Sequence, residues 1–272
     1  MKKFAFYGKG GIGKSTTAAN VSAALAEKGH TVCQIGCDPK NDSTRLLLGK
    51  TCPGTVLDTV KKYGEEFSAD RIIHHGYRGV ECVEAGGPEP GVGCAGRGII
   101  VALEKLKTLK ILEDDSEKIV LYDVLGDVVC GGFAVPIREG YANDIYIVSS
   151  GELMSLYAAN NIAKGIAKFA ARGKVRLGGI IGNSRNLHNE KNLLTAFAAK
   201  LNTKLTAFIP CDETVRQAEI RRQTVIEYLP ESSQADEYRN LSQIIMTNQD
   251  LSIPTPLEFE ELETMVFKYG HK

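Results

Sequence analysis

The chain has 272 residues, enough for one large α/β domain or two small ones, and at this size roughly three quarters of the chain's surface can be buried without staples. Lysine plus arginine and aspartate plus glutamate balance at 33 each, so no net field steers the protein towards nucleic acid or membrane. Seven cysteines, an odd number without secretory context, argue against a disulfide framework and for free thiols, metal ligands or redox chemistry. Phe4-Ala5-Phe6-Tyr7 is too short for a signal-peptide core, and no stretch approaches the ~20 apolar residues of a membrane span, so a cytoplasmic protein is expected.

Lys3 to Tyr7 reads as a strand and Ser15 to Glu27 as a helix. Between them, Gly8-Lys9-Gly10-Gly11-Ile12-Gly13-Lys14-Ser15 has the P-loop spacing of Gly, four residues, Gly-Lys-Ser. Successive glycines let backbone N–H groups face one anion, and the helix that follows points its positive end at the same place. Lys14 is expected to bridge the outer phosphates of a nucleotide, Ser15 to hold magnesium, and Thr16 to continue the site. The second lysine, Lys9, is either a solvated loop residue or an extra cation for the phosphates.

A strand over Thr31 to Gly36 ends in Cys37-Asp38-Pro39-Lys40-Asn41-Asp42-Ser43-Thr44-Arg45. Carboxylates, a lysine and hydroxyls at the carboxyl end of a strand suit a catalytic loop, with Asp38 and Asp42 activating water or holding magnesium through water; an Asp-Pro turn with an N-cap at Asp42 or Ser43 is the alternative. Val56 to Tyr63 is helical, and His74-His75 is read as a loop or helix end rather than as metal ligands.

The stretch Ala85 to Gly98 holds six glycines and two prolines, so it is irregular, and the periodic run from Ile99 to Leu109 starts a helix after it. Cys94 is thereby presented near a helix N-terminus, where a thiolate is favoured. Ile119 to Tyr122 is a buried strand leading into Asp123-Val124-Leu125-Gly126-Asp127-Val128-Val129-Cys130-Gly131-Gly132-Phe133; Asp123 stands where a Walker-B carboxylate lies, and Cys130 repeats the glycine-rich setting of Cys94. Strands at Ile145 to Ser149, Val175 to Asn183 and Lys204 to Pro210 alternate with helices at Leu153 to Ala170 and Lys191 to Lys200; helices at Asp236 to Met246 and Leu257 to Phe267 close the chain. The alternation predicts an α/β fold: a mostly parallel sheet flanked by helices, P-loop NTPase in type, in a single domain over 1–272.

Among the cysteines, Cys33 reads as core, while Cys37, Cys52, Cys82 and Cys211 have no zinc-type spacing and no Cys-x-x-Cys pair exists. An iron–sulfur cubane needs four thiolates. Cys94 and Cys130 from each of two chains would complete a set on a two-fold axis; a buried thiol pair and a disulfide switch are the alternatives.

These motifs together resemble the nitrogenase iron protein family: the double-lysine loop of deviant Walker-A ATPases, Gly36-Cys37-Asp38-Pro39-Lys40, the run from Gly86 to Gly98 and the run from Asp123 to Phe133. The likeness continues through Ser150-Gly151-Glu152, Tyr157-Ala158-Ala159-Asn160-Asn161, Asn183-Ser184-Arg185-Asn186 and Ala218-Glu219-Ile220-Arg221-Arg222, covering nearly the whole chain. It implies a homodimer with MgATP or MgADP in each subunit and one bridging [4Fe-4S] cluster held by Cys94 and Cys130. Hydrolysis would gate electron delivery to a catalytic metalloprotein, with ferredoxin or flavodoxin as donor. It further implies that Lys9 acts across the dimer, that Asp38, Lys40 and Asp42 form a first switch, and that Asp123 to Asp127 lie in a second, with Asp127 catalytic. Asn183, Pro210, Asp212 and Glu219 match positions around the adenine, Tyr238 matches a further pocket position, and Arg97 matches an ADP-ribosylation site on the docking face.

The chain departs from the family's usual pattern at Cys211 in Pro210-Cys211-Asp212, at Arg216 with Gln217 beside it where a base-contacting glutamine is common, and across residues 51 to 81. Gln34-Ile35-Gly36 and Val83-Glu84-Ala85 look more like the reductases of protochlorophyllide or nickel-tetrapyrrole systems. The same device serving a tetrapyrrole reductase or a double-cubane cluster protein is therefore the nearest alternative, and a non-redox partition or positioning ATPase a remote one.

Overall fold

A computed structural model describes residues 2–87, 95–112, 117–126, 134–171 and 173–270. Eight strands form one sheet: β1 Lys2–Tyr7, β2 Val32–Cys37, β3 His74–His75, β4 Glu81–Glu84, β5 Ile119–Val124, β6 Asp144–Ser149, β7 Arg176–Asn183 and β8 Leu205–Ile209. Their order is β3-β4-β2-β5-β1-β6-β7-β8, every pairing being parallel except β3 with β4. The expected parallel α/β architecture is present. His74-His75, expected in a loop or helix end, instead forms the antiparallel edge strand β3, because His74 and His75 register against Cys82 and Glu81.

The helices are α1 Lys14–Glu27, α2 Arg45–Leu48, α3 Val56–Tyr63, α4 Ala95–Thr108, α5 Val135–Arg138, α6 Leu153–Ala170, α7 Glu190–Lys200, α8 Glu213–Ile220, α9 Val225–Tyr228, α10 Ser233–Thr247 and α11 Phe259–Gly270. Strand periodicity divides the core in two. Ala5 and Tyr7 of β1 with Val120, Tyr122 and Val124 of β5 face one hydrophobic layer, while Phe4 and Phe6 with Ile119 and Leu121 face the other. Because side chains alternate, Asp123 falls on the face of Leu121, the face that α1 covers. That parity brings the first residue of α1, Lys14, over Asp123.

Small residues set how closely the layers approach. Ala18, Ala19, Ala23 and Ala24 of α1 are fully buried against the sheet and α10. Tyr146 packs edge-on to Phe4 and Phe6, and Gly178 makes room for its ring, since a Cβ there would lie 2.5 Å from Tyr146 Cζ. No helix among the described residues is long and apolar enough to cross a membrane.

Two buried asparagines fasten elements far apart in sequence. Asn20 Oδ1 accepts from the Val225 N–H at 2.7 Å, tying α9 to α1. Asn160 on α6 donates to Leu257 O at 2.7 Å and accepts from Leu257 N at 2.8 Å, fixing the approach to α11. Asn160→Ala strands both Leu257 backbone groups in a buried setting, and should lower unfolding free energy by about 2–4 kcal/mol in urea titration.

Candidate functional site

Seven strand ends converge at the carboxyl edge of the parallel sheet, where ligands of open α/β folds bind. Between β1 and α1, residues 8–13 turn sharply, with Gly11 and Gly13 at positive φ (76° and 89°). A side chain at Gly13 would place its Cβ 2.3 Å from Asn183 Nδ2, so glycine serves both the turn and the close approach of β7. Asn183 Nδ2 donates to Ile12 O at 2.6 Å, and Arg185 donates through Nη2 to Gly11 O. The loop is thus pinned from the β7 side, while the buried Ile12 side chain anchors it in the core.

Lys14 and Asp123 are 6% and 0% exposed, and Lys14 Nζ donates to Asp123 Oδ1. Asp123 Oδ2 is buried without a partner among the described residues. Thr16 Oγ1 donates to Glu219 Oε1 at 2.7 Å, linking α1 to α8. Gly126, two residues beyond β5, has its backbone pressed on the P-loop: a Cβ there would lie 1.7 Å from Gly8 O.

Two cavities meet at this loop. One of about 290 Å³ is lined by Lys9, Gly10, Gly11, Gly13, Lys14, Ser15, Thr16, Asp38, Lys40, Asp42, Leu125 and Glu219. The other, about 270 Å³, is lined by Gly11, Gly13, Thr16, Asn183, Ser184, Arg185, Pro210, Cys211, Asp212, Val215, Arg216, Glu219 and Tyr238. They share Gly11, Gly13, Thr16 and Glu219, which makes one bent cleft with a cationic, amide-rich end and a second chamber. A nucleoside phosphate matches that division, and the residues fit it by a glycine cradle, a buried lysine and a buried carboxylate with a spare oxygen.

The sequence-predicted residues largely come together here. Lys9 lines the first chamber, Asp38 Oδ1 accepts from the Lys40 N–H at 3.0 Å, and Asp42 lies beside them. Asp42's carboxyl is held above its ordinary value, first by desolvation and then by Asp38 and Asp123. The alternative of an N-cap at Asp42 or Ser43 does not occur, since Thr44 stands at the start of α2 without a side-chain cap bond. Asp212 does cap a helix: its Oδ1 accepts from Thr214 N at 2.7 Å at the start of α8, while the residue also lines the second chamber. Tyr238 is almost fully buried, and burial raises its hydroxyl above the ordinary range. Arg97 is exposed on the first turn of α4. Cys94, Cys130 and Asp127 lie outside the described residues.

Three residues are given no role by the motif reading, although Arg185 and Glu84 lie within stretches that carry the resemblance. Arg185 and Gln234 brace the second chamber, Gln234 through Pro210 O at 3.4 Å. Glu84, fully buried at the end of β4, accepts from both Thr44 N and Thr44 Oγ1 at 2.7 Å through one oxygen, Oε1. Burial pushes its carboxyl up to about 8, the Thr44 bonds partly opposing this and Asp123 and Asp42 adding to it. No local signal marks Glu84, because its partner lies 40 residues away.

Cys33, Cys37 and Cys82 are buried thiols in strands, Cys52 is half-buried and Cys211 is exposed. Burial pushes Cys33 up to about 12 and Cys52 to about 11, the reverse of a thiolate ligand's setting. No group of three or more His, Cys, Asp or Glu among the described residues could hold a metal ion.

Residues 2–272 match the family of 4Fe-4S iron sulfur cluster binding proteins, NifH/frxC family. The chain belongs to the NifH/frxC family. A nitrogenase iron protein of Methanospirillum hungatei JF-1 is 56% identical over 272 residues, spanning 99% of this chain and 96% of that protein. Solved structures share the fold: the cell division ATPase MinD of Pyrococcus furiosus superposes with a TM-score of 0.68 at 20% identity, over 90% of this chain and 98% of that one. A ParA family ATPase from Chlorobium tepidum TLS superposes with a TM-score of 0.68 at 19% identity, over 89% and 97%. The family is one of 4Fe-4S iron sulfur cluster binding proteins.

Two predictions follow from the buried charges. Lys14→Met leaves Asp123 buried and unpaired, and should cost about 3–5 kcal/mol of unfolding free energy in urea, most of it recovered when Asp123→Asn is added. Glu84 has a folded pKa of about 8, above the ordinary 4.5, so the folded chain keeps a proton that the unfolded chain releases as pH rises from about 4.5 to about 8. Its contribution to stability is present below pH 4.5 and declines through that window. Unfolding titrations of Glu84→Gln, which cannot ionise, should show a flatter decline between pH 5 and 8 than the parent.

Proposed function

We propose that two copies of this chain form an ATP-dependent reductase of the nitrogenase iron protein type, with a [4Fe-4S] cluster on the two-fold axis held by Cys94 and Cys130 of each copy. The observation that carries the reading is the match over residues 2–272, coupled to a P-loop cleft whose two chambers divide phosphate from base. The cluster, when bound, supplies a one-electron donor to a catalytic metalloprotein, and ferredoxin or flavodoxin refills it.

In this reading Lys14 and the N–H groups of residues 9–15 hold the β- and γ-phosphates, and Ser15 and Asp123 hold magnesium, Asp123 through water. Asp38, Lys40 and Asp42 form the sensing loop, with Asp127 as the residue that orients the attacking water. Lys9 adds its charge to the phosphates of the partner subunit's nucleotide. Asn183, Pro210, Asp212, Glu219 and Tyr238 surround the base. Arg97, exposed on α4, lies on the face that meets the acceptor and is the candidate for modification.

The test is to purify the protein without oxygen and mix it with a molybdenum–iron nitrogenase component, MgATP and dithionite. Ethylene from acetylene should form in proportion to added protein. Cys94→Ala or Cys130→Ala should abolish it and lose iron and sulfide. Retention of a full cluster in either variant would overturn the ligand assignment. Failure of the intact, ATP-hydrolysing protein to support acetylene reduction alongside a functioning reference reductase would move the acceptor to another metalloprotein, such as a tetrapyrrole reductase.

A further inference from the structure

Loop 38–44, which lines the phosphate chamber, is attached to the end of β4 and the residues after it at two points that no P-loop motif contains. At one end Thr44 gives both its N–H and its hydroxyl to Glu84 Oε1, each at 2.7 Å. At the other, Pro39 lies on the backbone of Gly87, where a Cβ would come within 2.5 Å of Pro39 Cβ and 2.9 Å of its Cα. Both contacts land on the same four residues, 84–87.

The space for this junction is built deliberately by sequence. Gly36 registers against Glu84 across β2 and β4, and a Cβ at Gly36 would sit 2.0 Å from Glu84 Oε2, so only glycine admits the carboxyl. Gln34, also buried, holds the loop from the β2 side by donating to Ser43 O at 2.9 Å and Ser43 Oγ at 3.0 Å. Segment 84–87 is in turn laced to its neighbours: Ala85 N donates to Gly36 O at 2.8 Å, and Leu57 N at the start of α3 donates to Ala85 O at 3.2 Å. A loop shift at the phosphates cannot leave 84–87 where it was without breaking either the Thr44 bonds or the Pro39–Gly87 contact.

We propose that Glu84 is a positioning residue that fastens loop 38–44 to segment 84–87, so that a nucleotide-driven shift of the loop is carried into the stretch of chain that runs on to Cys94. This rests on the nucleotide reading of the cleft, and it defines a route separate from the one through Asp123 and Gly126, whose contact is with Gly8. A carboxyl is suited to the task because one oxygen takes two donors at once across the gap between strand and loop. Glutamine retains that carbonyl acceptor and the length; alanine retains neither.

Hydrogen exchange read by mass spectrometry on the anaerobic full-length protein, with and without MgADP, tests the proposal. In the parent, MgADP should slow exchange in peptides covering 8–15 and 38–44 and alter it in 84–87. Glu84→Ala should keep the first two responses and reduce the third about tenfold, the scale of one buried acceptor lost to two donors. Glu84→Gln should restore it, whereas Glu84→Met, which keeps the length without the acceptor, should not; rescue by Met would assign Glu84 a merely space-filling role and overturn the proposal. An unreduced response at 84–87 in a folded Glu84→Ala overturns the proposal. Should that variant not fold, Thr44→Val removes one donor while keeping the side chain's shape, and the same reduction or its absence decides. If MgADP changes nothing in 8–15 of the parent, the nucleotide reading itself falls, and this inference with it.

Discussion

Lys14 and Asp123 are separated by 109 residues and meet as an ion pair in the interior. Removing two charges from water is costly, and their attraction offsets that cost only when both are present and well supported. The pair therefore fixes where α1 begins relative to β5, and with it the curl of residues 8–13 between them. It also leaves Asp123 Oδ2 without a partner among the described residues. In the proposed reading a phosphate in the loop would compete with Asp123 for Lys14, and the freed carboxylate would be available to hold magnesium, which prefers oxygen ligands and retains water. In that reading, nucleotide binding and the placement of β5 would draw on the same two charges.

Close contacts at three glycines tie these segments together, backbone on backbone where Gly126 meets Gly8, and against side-chain atoms first where Gly13 meets Asn183 and Gly87 meets Pro39. Gly126 against Gly8, Gly13 against Asn183, and Gly87 against Pro39 are all contacts in which a methyl group would collide. Backbones in direct contact transmit a displacement with little slack, because no rotamer can absorb it. The P-loop is thus touched from β7 by a side chain and from the end of β5 by main chain, while loop 38–44 is touched from the end of β4 by both.

Much of this was legible before any coordinates. The glycine spacing of residues 8–15, the apolar run of β5 ending in Asp123, and the βαβ rhythm all carry local signals, and α3 and α6 occupy the predicted residues. What was illegible is short or non-local. β3 has two residues and β4 four, too few for periodicity to register, and their pairing depends on β4 first docking on β2. Glu84 looks like an ordinary strand residue until Thr44 and Gly36 are brought beside it. Arg185 and Gln234 act on backbone carbonyls of distant loops, for which sequence carries no pattern. The expectation at Cys94 and Cys130, which rests on their glycine-rich approaches, falls outside the described residues.

The second chamber differs in character from the first. Phosphates are held by backbone N–H groups and one lysine, a mode indifferent to the base. Base choice falls to β7, β8 and α8, and there the chain carries Cys211 and Arg216. Arg216 forms a bidentate pair with Glu213, with Nε at 2.8 and 2.9 Å from the two carboxylate oxygens, so its charge is engaged within the exposed face of α8. Arg185, on the other wall, is committed to the Gly11 carbonyl. Asn183, Asp212 and the Pro210 carbonyl, which also line this chamber, are likewise engaged, in the loop, the helix cap and the Gln234 brace. In the proposed reading the base would therefore meet groups that the fold itself needs, with the side chains of Cys211 and Arg216 beside them.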